Sequence, residues 1–121
     1  MRMFRLFSMA ICLGYANAAA SAQACESGYC WGALAAGEDG RAGYAVRVRT
    51  APDAAAQARA VCGESCQVEM FHNSCAALAV NRDGDAFVGT ALDRIRAQDA
   101  ALSQCEVSGG RCVIRVEACS F

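Results

Sequence analysis

Nine cysteines in 121 residues constrain this chain more than anything else in it, because eight lie beyond an apolar leader in an order that occurs twice. Cysteine at this density in a short chain reads as a disulfide framework, since a small domain buries too little apolar surface to hold itself without staples. An order that occurs twice sets the unit of structure before any element is assigned.

The leader is a targeting device. Arg2 and Arg5 precede a mostly apolar run, Leu6 to Tyr15, which is too short to span a bilayer. Small residues follow, and Ala22-Gln23-Ala24 fits the small-x-small rule of signal peptidase. Residues 1–24 therefore read as a secretion signal and residues 25–121 as a single exported domain, periplasmic or secreted. No second apolar stretch is long enough to form a transmembrane segment. Cys12 leaves with the signal, so the remaining cysteines form an even set. A cysteine at position 25 also raises a lipoprotein reading. Ala22 and Gln23 suit lipid processing poorly, and a lipid on Cys25 would leave an odd thiol.

The rest is a tandem repeat. Trp31-Gly32-Ala33-Leu34-Ala35 sets above Cys75-Ala76-Ala77-Leu78-Ala79 at an offset of about 44 residues. Each run leads to an Asp-Gly pair, Asp39-Gly40 or Asp83-Gly84, the strongest short hairpin signal. A second apolar run follows, then an alanine-rich helix ending in cysteine, then a turn, a cysteine and a β-branched strand. Tyr44, Val46 and Val48 alternate with Ala45, Arg47 and Arg49, which predicts a strand with one face on the core. Thr50-Ala51-Pro52-Asp53 is a helix start, and Gly63 a stop. Ala54, Ala55, Ala58 and Val61 form its predicted apolar stripe. In the second unit Asp93 caps, and Ala97, Ala101, Leu102 and Cys105 recur at helical spacing. Gly109-Gly110 turns the chain into a last strand through Val113, Ile114 and Val116. The expected fold is a small disulfide-stapled α+β domain. It consists of two strand-strand-helix-strand units, 30–73 and 74–121, with about six strands, two helices and a pseudo-two-fold axis.

The repeat narrows the cysteine pairing. Cys62 and Cys105 each end a helix, and Cys66 and Cys112 each open the following strand, so the same bond is expected twice: Cys62–Cys66 and Cys105–Cys112. Cys75 opens one strand and Cys119 ends another, and they meet if those strands pair antiparallel. Cys25 and Cys30 remain as neighbours in sequence.

Several chemistries find little footing. The basic residues are all arginine, eleven against twelve acidic residues, and no basic stripe follows a phosphate backbone, which argues against nucleic acid. Arginine without lysine, together with abundant alanine, reads as GC-rich coding composition. Cys62-Gly63-Glu64-Ser65-Cys66 has three intervening residues where thioredoxin-like chemistry uses two, and its first cysteine sits at the wrong pole of a helix for thiolate stabilisation. One histidine leaves zinc short of ligands. Asn81-Arg82-Asp83-Gly84-Asp85 resembles a calcium loop, but the counterpart Gly37-Glu38-Asp39-Gly40-Arg41 keeps the turn and loses the ligands. His72 with Ser65, Ser74 or Asp85 would make a hydrolytic arrangement, yet no nucleophile-elbow pattern surrounds a serine. Nothing in the sequence places a carboxylate pair such as Glu64 and Glu69 at a glycosidase separation. No catalytic residue, cofactor site or metal site is assigned.

What remains is a rigid scaffold with candidates for a binding face: Trp31, Tyr44, Arg47 and Phe71. Arg47 with Arg49 is the best exposed cationic pair for an acidic partner. The function expected is a non-enzymatic, exported binding or interaction module for a protein or cell-envelope component. The alternative is a small secreted enzyme, either a hydrolase around His72 or a thiol oxidoreductase around Cys62 and Cys66. A periplasmic inhibitor or immunity-type protein is a special case of the first.

Trp31 to Ala35, Ala54 to Cys62, Cys66 to Phe71, Asn73 to Val80 and Ala97 to Cys119 together resemble the bacterial secreted-domain family catalogued as domain of unknown function 4189. The resemblance covers nearly all of the exported part. Where family members often carry glycine-rich aromatic runs, this chain has Gly43-Tyr44-Ala45-Val46 and Phe87-Val88-Gly89-Thr90. The resemblance implies export and a small disulfide-bearing domain, and it carries over no activity and no catalytic residues.

Overall fold

Each half of the chain builds a hairpin, crosses over by a helix and returns a third strand to the other side of the first. The computed structural model describes Cys25 and residues 27–121; the secretion signal assigned to 1–24 lies outside the described residues. In the first half, β1 (Trp31–Ala36) turns through a short 3-10 segment (Glu38–Gly40) into β2 (Ala42–Val48). Helix α1 (Ala51–Cys62) and β3 (Gln67–His72) follow. The second half repeats the order as β4 (Cys75–Val80), β5 (Ala86–Ala91), α2 (Arg94–Val107) and β6 (Val113–Cys119). Six strands and two helices thus form the two strand-strand-helix-strand units that the repeat predicts.

Local chemistry sets the boundaries. Asp39 at φ 72° and Gly40 at φ 77° give the first hairpin two left-handed residues, the twist that a tight turn between antiparallel strands requires. Thr50 Oγ1 accepts the Asp53 N–H at 3.3 Å, and Asp93 Oδ1 accepts the Arg96 N–H at 2.8 Å, so each helix starts on a side-chain cap. Gly63 ends α1, and its N–H donates to the Arg59 carbonyl at 2.7 Å.

The strands form two separate antiparallel sheets, ordered β2-β1-β3 and β5-β4-β6. Strand alternation sends their side chains two ways. Ala33, Ala35, Ala45 and Val48 meet Ala54 and Ala58 of α1. Cys75, Ala77 and Ala79 meet Ala97, Ala101 and Cys105 of α2. The opposite faces meet each other: Leu34 and Phe71 from the first sheet pack on Ala76 and Leu78 from the second, flanked by Val46, Val88 and Val116. The order through the molecule is helix, sheet, sheet, helix.

Two sequence expectations change. Val48 does not share a face with Tyr44 and Val46. An extra residue in β2 opposite the step from Trp31 to Ala33 breaks the alternation, with Arg47 at φ 59°. This β-bulge turns Val48 onto α1 and Arg47 outward. Val61 does not belong to the buried stripe of α1. It is exposed, and Cys62 completes the stripe instead.

Four disulfides close the framework: Cys25–Cys30, Cys62–Cys66, Cys75–Cys119 and Cys105–Cys112. The second and fourth tie a helix end to the following strand in the two units. The first uses the Cys25 sulfur, which a lipid anchor at that residue would need.

Candidate functional site

At one end of the first sheet, the start of β1, the end of β2 and the end of β3 come together. The pairing register sets Trp31 opposite Val48 on one side and opposite His72 on the other. The Trp31 and His72 rings lie 4.6 Å apart, tilted by 41°. Trp31 is half-buried against the α1 layer, whereas His72 is exposed. The Arg49 guanidinium sits over the Tyr29 ring, 5.6 Å from its centre. The bulge presents Arg47, the residue before Val48 in β2, to solvent. Among the described residues neither Arg47 nor Arg49 forms a salt bridge; the two pairs present are Arg94–Glu117 and Arg96–Asp93.

The loops behind this end are held firmly. Asn73, at φ 52°, accepts the Cys25 N–H on Oδ1 at 2.7 Å and donates its own N–H to the Cys30 carbonyl at 2.9 Å. With the Cys25–Cys30 bridge these bonds fix the segment that carries Tyr29. The result is an aromatic and doubly cationic surface on a rigid support.

Of the four residues proposed for a binding face, Trp31 and Arg47 both lie at this end of the first sheet, at the start of β1 and near the end of β2. Tyr44 is half-exposed but lies further along β2, opposite Leu34. Phe71 is not a surface residue: it is 4% exposed, in the layer between the sheets, because its place in β3 faces inward and its ring covers Gly32. Tyr29 and His72 complete the surface. Sequence reasoning treated His72 only as a possible base, and nothing in the strand pattern sets Tyr29 apart. The signal that finds His72 is the antiparallel register, which brings residue 72 beside residue 31.

The groups weighed for reactions have other partners. Among the described residues no hydroxyl hydrogen-bonds to His72. Ser74 is engaged through its backbone with Ser120, whose Oγ accepts the Ser74 N–H at 3.1 Å. The Cys62–Cys66 bridge is buried, with the two residues 6% and 3% exposed. Asn81 Oδ1 accepts the backbone N–H groups of Asp83 and Asp85, both at 2.9 Å, so the oxygen that a calcium loop would need is spent on the turn. Glu64 lies in the turn after α1 and Glu69 in the middle of β3. No group of three or more potential ligands among the described residues is arranged to hold a metal ion.

The comparisons with known proteins agree with this architecture. The family model described as Domain of unknown function (DUF4189) matches residues 31–119. The NMR structure of Rv1813c from Mycobacterium tuberculosis is similar at 34% sequence identity, over 75% of this chain and 75% of that one, with a TM-score of 0.62. No curated protein matches the sequence.

Proposed function

We propose that this chain, which belongs to the DUF4189 family, is an exported, non-enzymatic binding module that recognises an acidic partner through the Tyr29–Trp31–Arg47–Arg49–His72 surface. One observation carries the reading. Arg47 is held in a left-handed backbone conformation that costs a non-glycine residue of order 1–3 kcal/mol, and the bulge that imposes it turns the guanidinium out to solvent. A fold that bears such a cost to present a cation at the sheet end that carries Tyr29, Trp31 and His72 is suited to recognition, because arginine and aromatic side chains dominate binding energy at interfaces. The buried bridge at Cys62–Cys66 and the lack of a hydroxyl partner for His72 favour a surface role over the two enzymatic alternatives.

Four disulfides in so short a chain support export to an oxidising compartment. No helix among the described residues is long and apolar enough to cross a membrane. An anchored or free protein, or another envelope component with a carboxylate-rich surface, is the partner that this chemistry fits.

The test compares immobilised wild-type protein with the Arg47→Glu, Arg49→Glu variant for capture from a cell-envelope fraction. Both side chains are exposed, so the variant should unfold at close to the wild-type temperature and lose the captured partner. Capture that survives the charge reversal removes this surface from the reading.

A further inference from the structure

The pseudo-two-fold axis relates β2 to β5 and β6 to β3, so the molecule has two equivalent places where the sheets meet edge to edge. They are not alike. On one side β2 lies against β6. There Arg115, the extra residue of a second bulge, in β6, donates from Nη1 to the Gly40 carbonyl at 2.9 Å and closes the seam. On the other side β3 and β5 do not approach in this way, and a groove of about 460 Å³ stays open between them.

The residues of the open seam explain the difference. Arg115 is an inserted residue of β6, and β3 pairs with β1 without a break and has no residue in that place; Glu69, opposite Leu34 as Val116 is opposite Leu78, lines the open seam instead. The turn facing Arg115 contains Gly40; the corresponding turn at the open seam contains Gly84 and brings Asp85 with it. The groove is thus lined by Glu38, Glu69 and Asp85, and no arginine is among its lining residues. Its lining also includes apolar Leu34 and Val88 from the inter-sheet layer, and Phe87. Its walls are two sheet edges, since β3 pairs only with β1 and β5 only with β4. Gln104 covers one β5 edge carbonyl, that of Val88, at 3.1 Å.

We infer that the open seam is a second docking site, distinct from the aromatic–arginine surface, and that its occupant is an extended peptide segment of another protein carrying arginine. The segment would lie along an unpaired edge as an added strand and place a guanidinium where the closed seam has Arg115. Three carboxylates that form no salt bridge among the described residues supply the charge complementarity, although Arg41 lies nearby with its Nε on the Glu38 carbonyl at 3.5 Å. A planar guanidinium suits carboxylate acceptors better than an ammonium does. The molecule's own Arg115 shows the mode of closure, and the lack of an inserted bulge residue in β3 leaves the related seam without such a cation.

The experiment is an amide-shift NMR titration of the isotope-labelled protein with a blocked pentapeptide of alternating valine and arginine. The control peptide carries glutamate in place of arginine. The expected result is saturable shifts at Glu38, Gln67, Glu69, Asp85 and Phe87, and binding at least tenfold weaker for the control. The Glu69→Gln, Asp85→Asn variant, changed only at exposed positions, should keep its unfolding temperature and lose at least tenfold in affinity for the arginine peptide. The Arg47→Glu, Arg49→Glu variant should bind the peptide like the wild type, which separates this site from the first. Shifts centred elsewhere, equal binding of the two peptides, or no saturable binding at millimolar peptide overturns the inference. So does a concentration-dependent shift of the groove amides without peptide, which would make a second copy of the chain the occupant.

Discussion

Trp31 and His72 stand where the second unit has Cys75 and Cys119. Both pairs join the first residue of a central strand to its partner near the end of the returning strand, one by aromatic packing and one by a covalent bond. The double substitution Trp31→Cys, His72→Cys should therefore oxidise to a fifth bridge without reshuffling the other four, as peptide mapping under non-reducing conditions would show; a free thiol pair at those positions contradicts the equivalence. One strand position away, Phe71 lies over Gly32 and packs on Leu34 between the sheets. Phe71→Ala should cost about 3–5 kcal/mol in denaturant unfolding, as large aromatic truncations in cores do. Tyr44→Ala, at a half-exposed site, should stay within about 1 kcal/mol. Similar losses for both would place Phe71 outside the core. The alternation of β3 held the clue to Phe71: Gln67, Glu69 and Phe71 share one parity, but only Phe71 reaches the layer that the second sheet covers. A sequence shows parity, and it does not show which end of a strand a second layer will overlie.

The helix-to-sheet layers explain why alanine recurs in this chain. Ala33, Ala35, Ala54 and Ala58 in one unit, and Ala77, Ala79, Ala97 and Ala101 in the other, are each at most 1% exposed. Their small side chains let each helix come close to its sheet, a packing role that the compositional reading missed because alanine is common on surfaces too. Gly89 carries the approach to its limit: a Cβ there would lie 2.3 Å from the Ala101 backbone nitrogen and 2.7 Å from the Ala97 carbonyl oxygen. Helix backbone cannot step aside as a flexible side chain can. Gly89→Ala should thus destabilise by about 1–3 kcal/mol in the same unfolding experiment, through overpacking; a neutral effect would mean that α2 sits further from β5. The elements themselves were legible, since caps at Thr50 and Asp93 and turns at the two Asp-Gly pairs are written in local chemistry. The bulges at Arg47 and Arg115 were not, because an inserted residue in a strand leaves no mark in an alternation until its partner strand is in place.

The whole molecule is two copies of one unit that cannot stand apart. Each unit covers one face of its sheet with its own helix and the other only with its twin, through Leu34 and Phe71 on one side and Ala76 and Leu78 on the other. A chain of residues 25–73 alone would expose that face to water, and fully burying a Leu or Phe side chain is worth about 1.5–3 kcal/mol. The isolated unit should give a collapsed NMR amide spectrum at the temperature where residues 25–121 give a dispersed one. A dispersed half-chain spectrum would make the inter-sheet layer dispensable. The repeat announced this doubling in the sequence, but the pairing of the two bare sheet faces, and the unequal seams it leaves, depend on side chains about 44 residues apart that no local pattern connects.

At this scale the molecule is a covalent scaffold closed by four disulfides. Alkylating the protein under denaturant without reduction, then measuring intact mass and mapping bridged peptides, is the decisive measurement. The expected result is a mature start at Cys25, no alkylated cysteine, and the pairs Cys25–Cys30, Cys62–Cys66, Cys75–Cys119 and Cys105–Cys112. A labelled Cys62 or Cys66, a different pairing, or a lipid mass on Cys25 would contradict it.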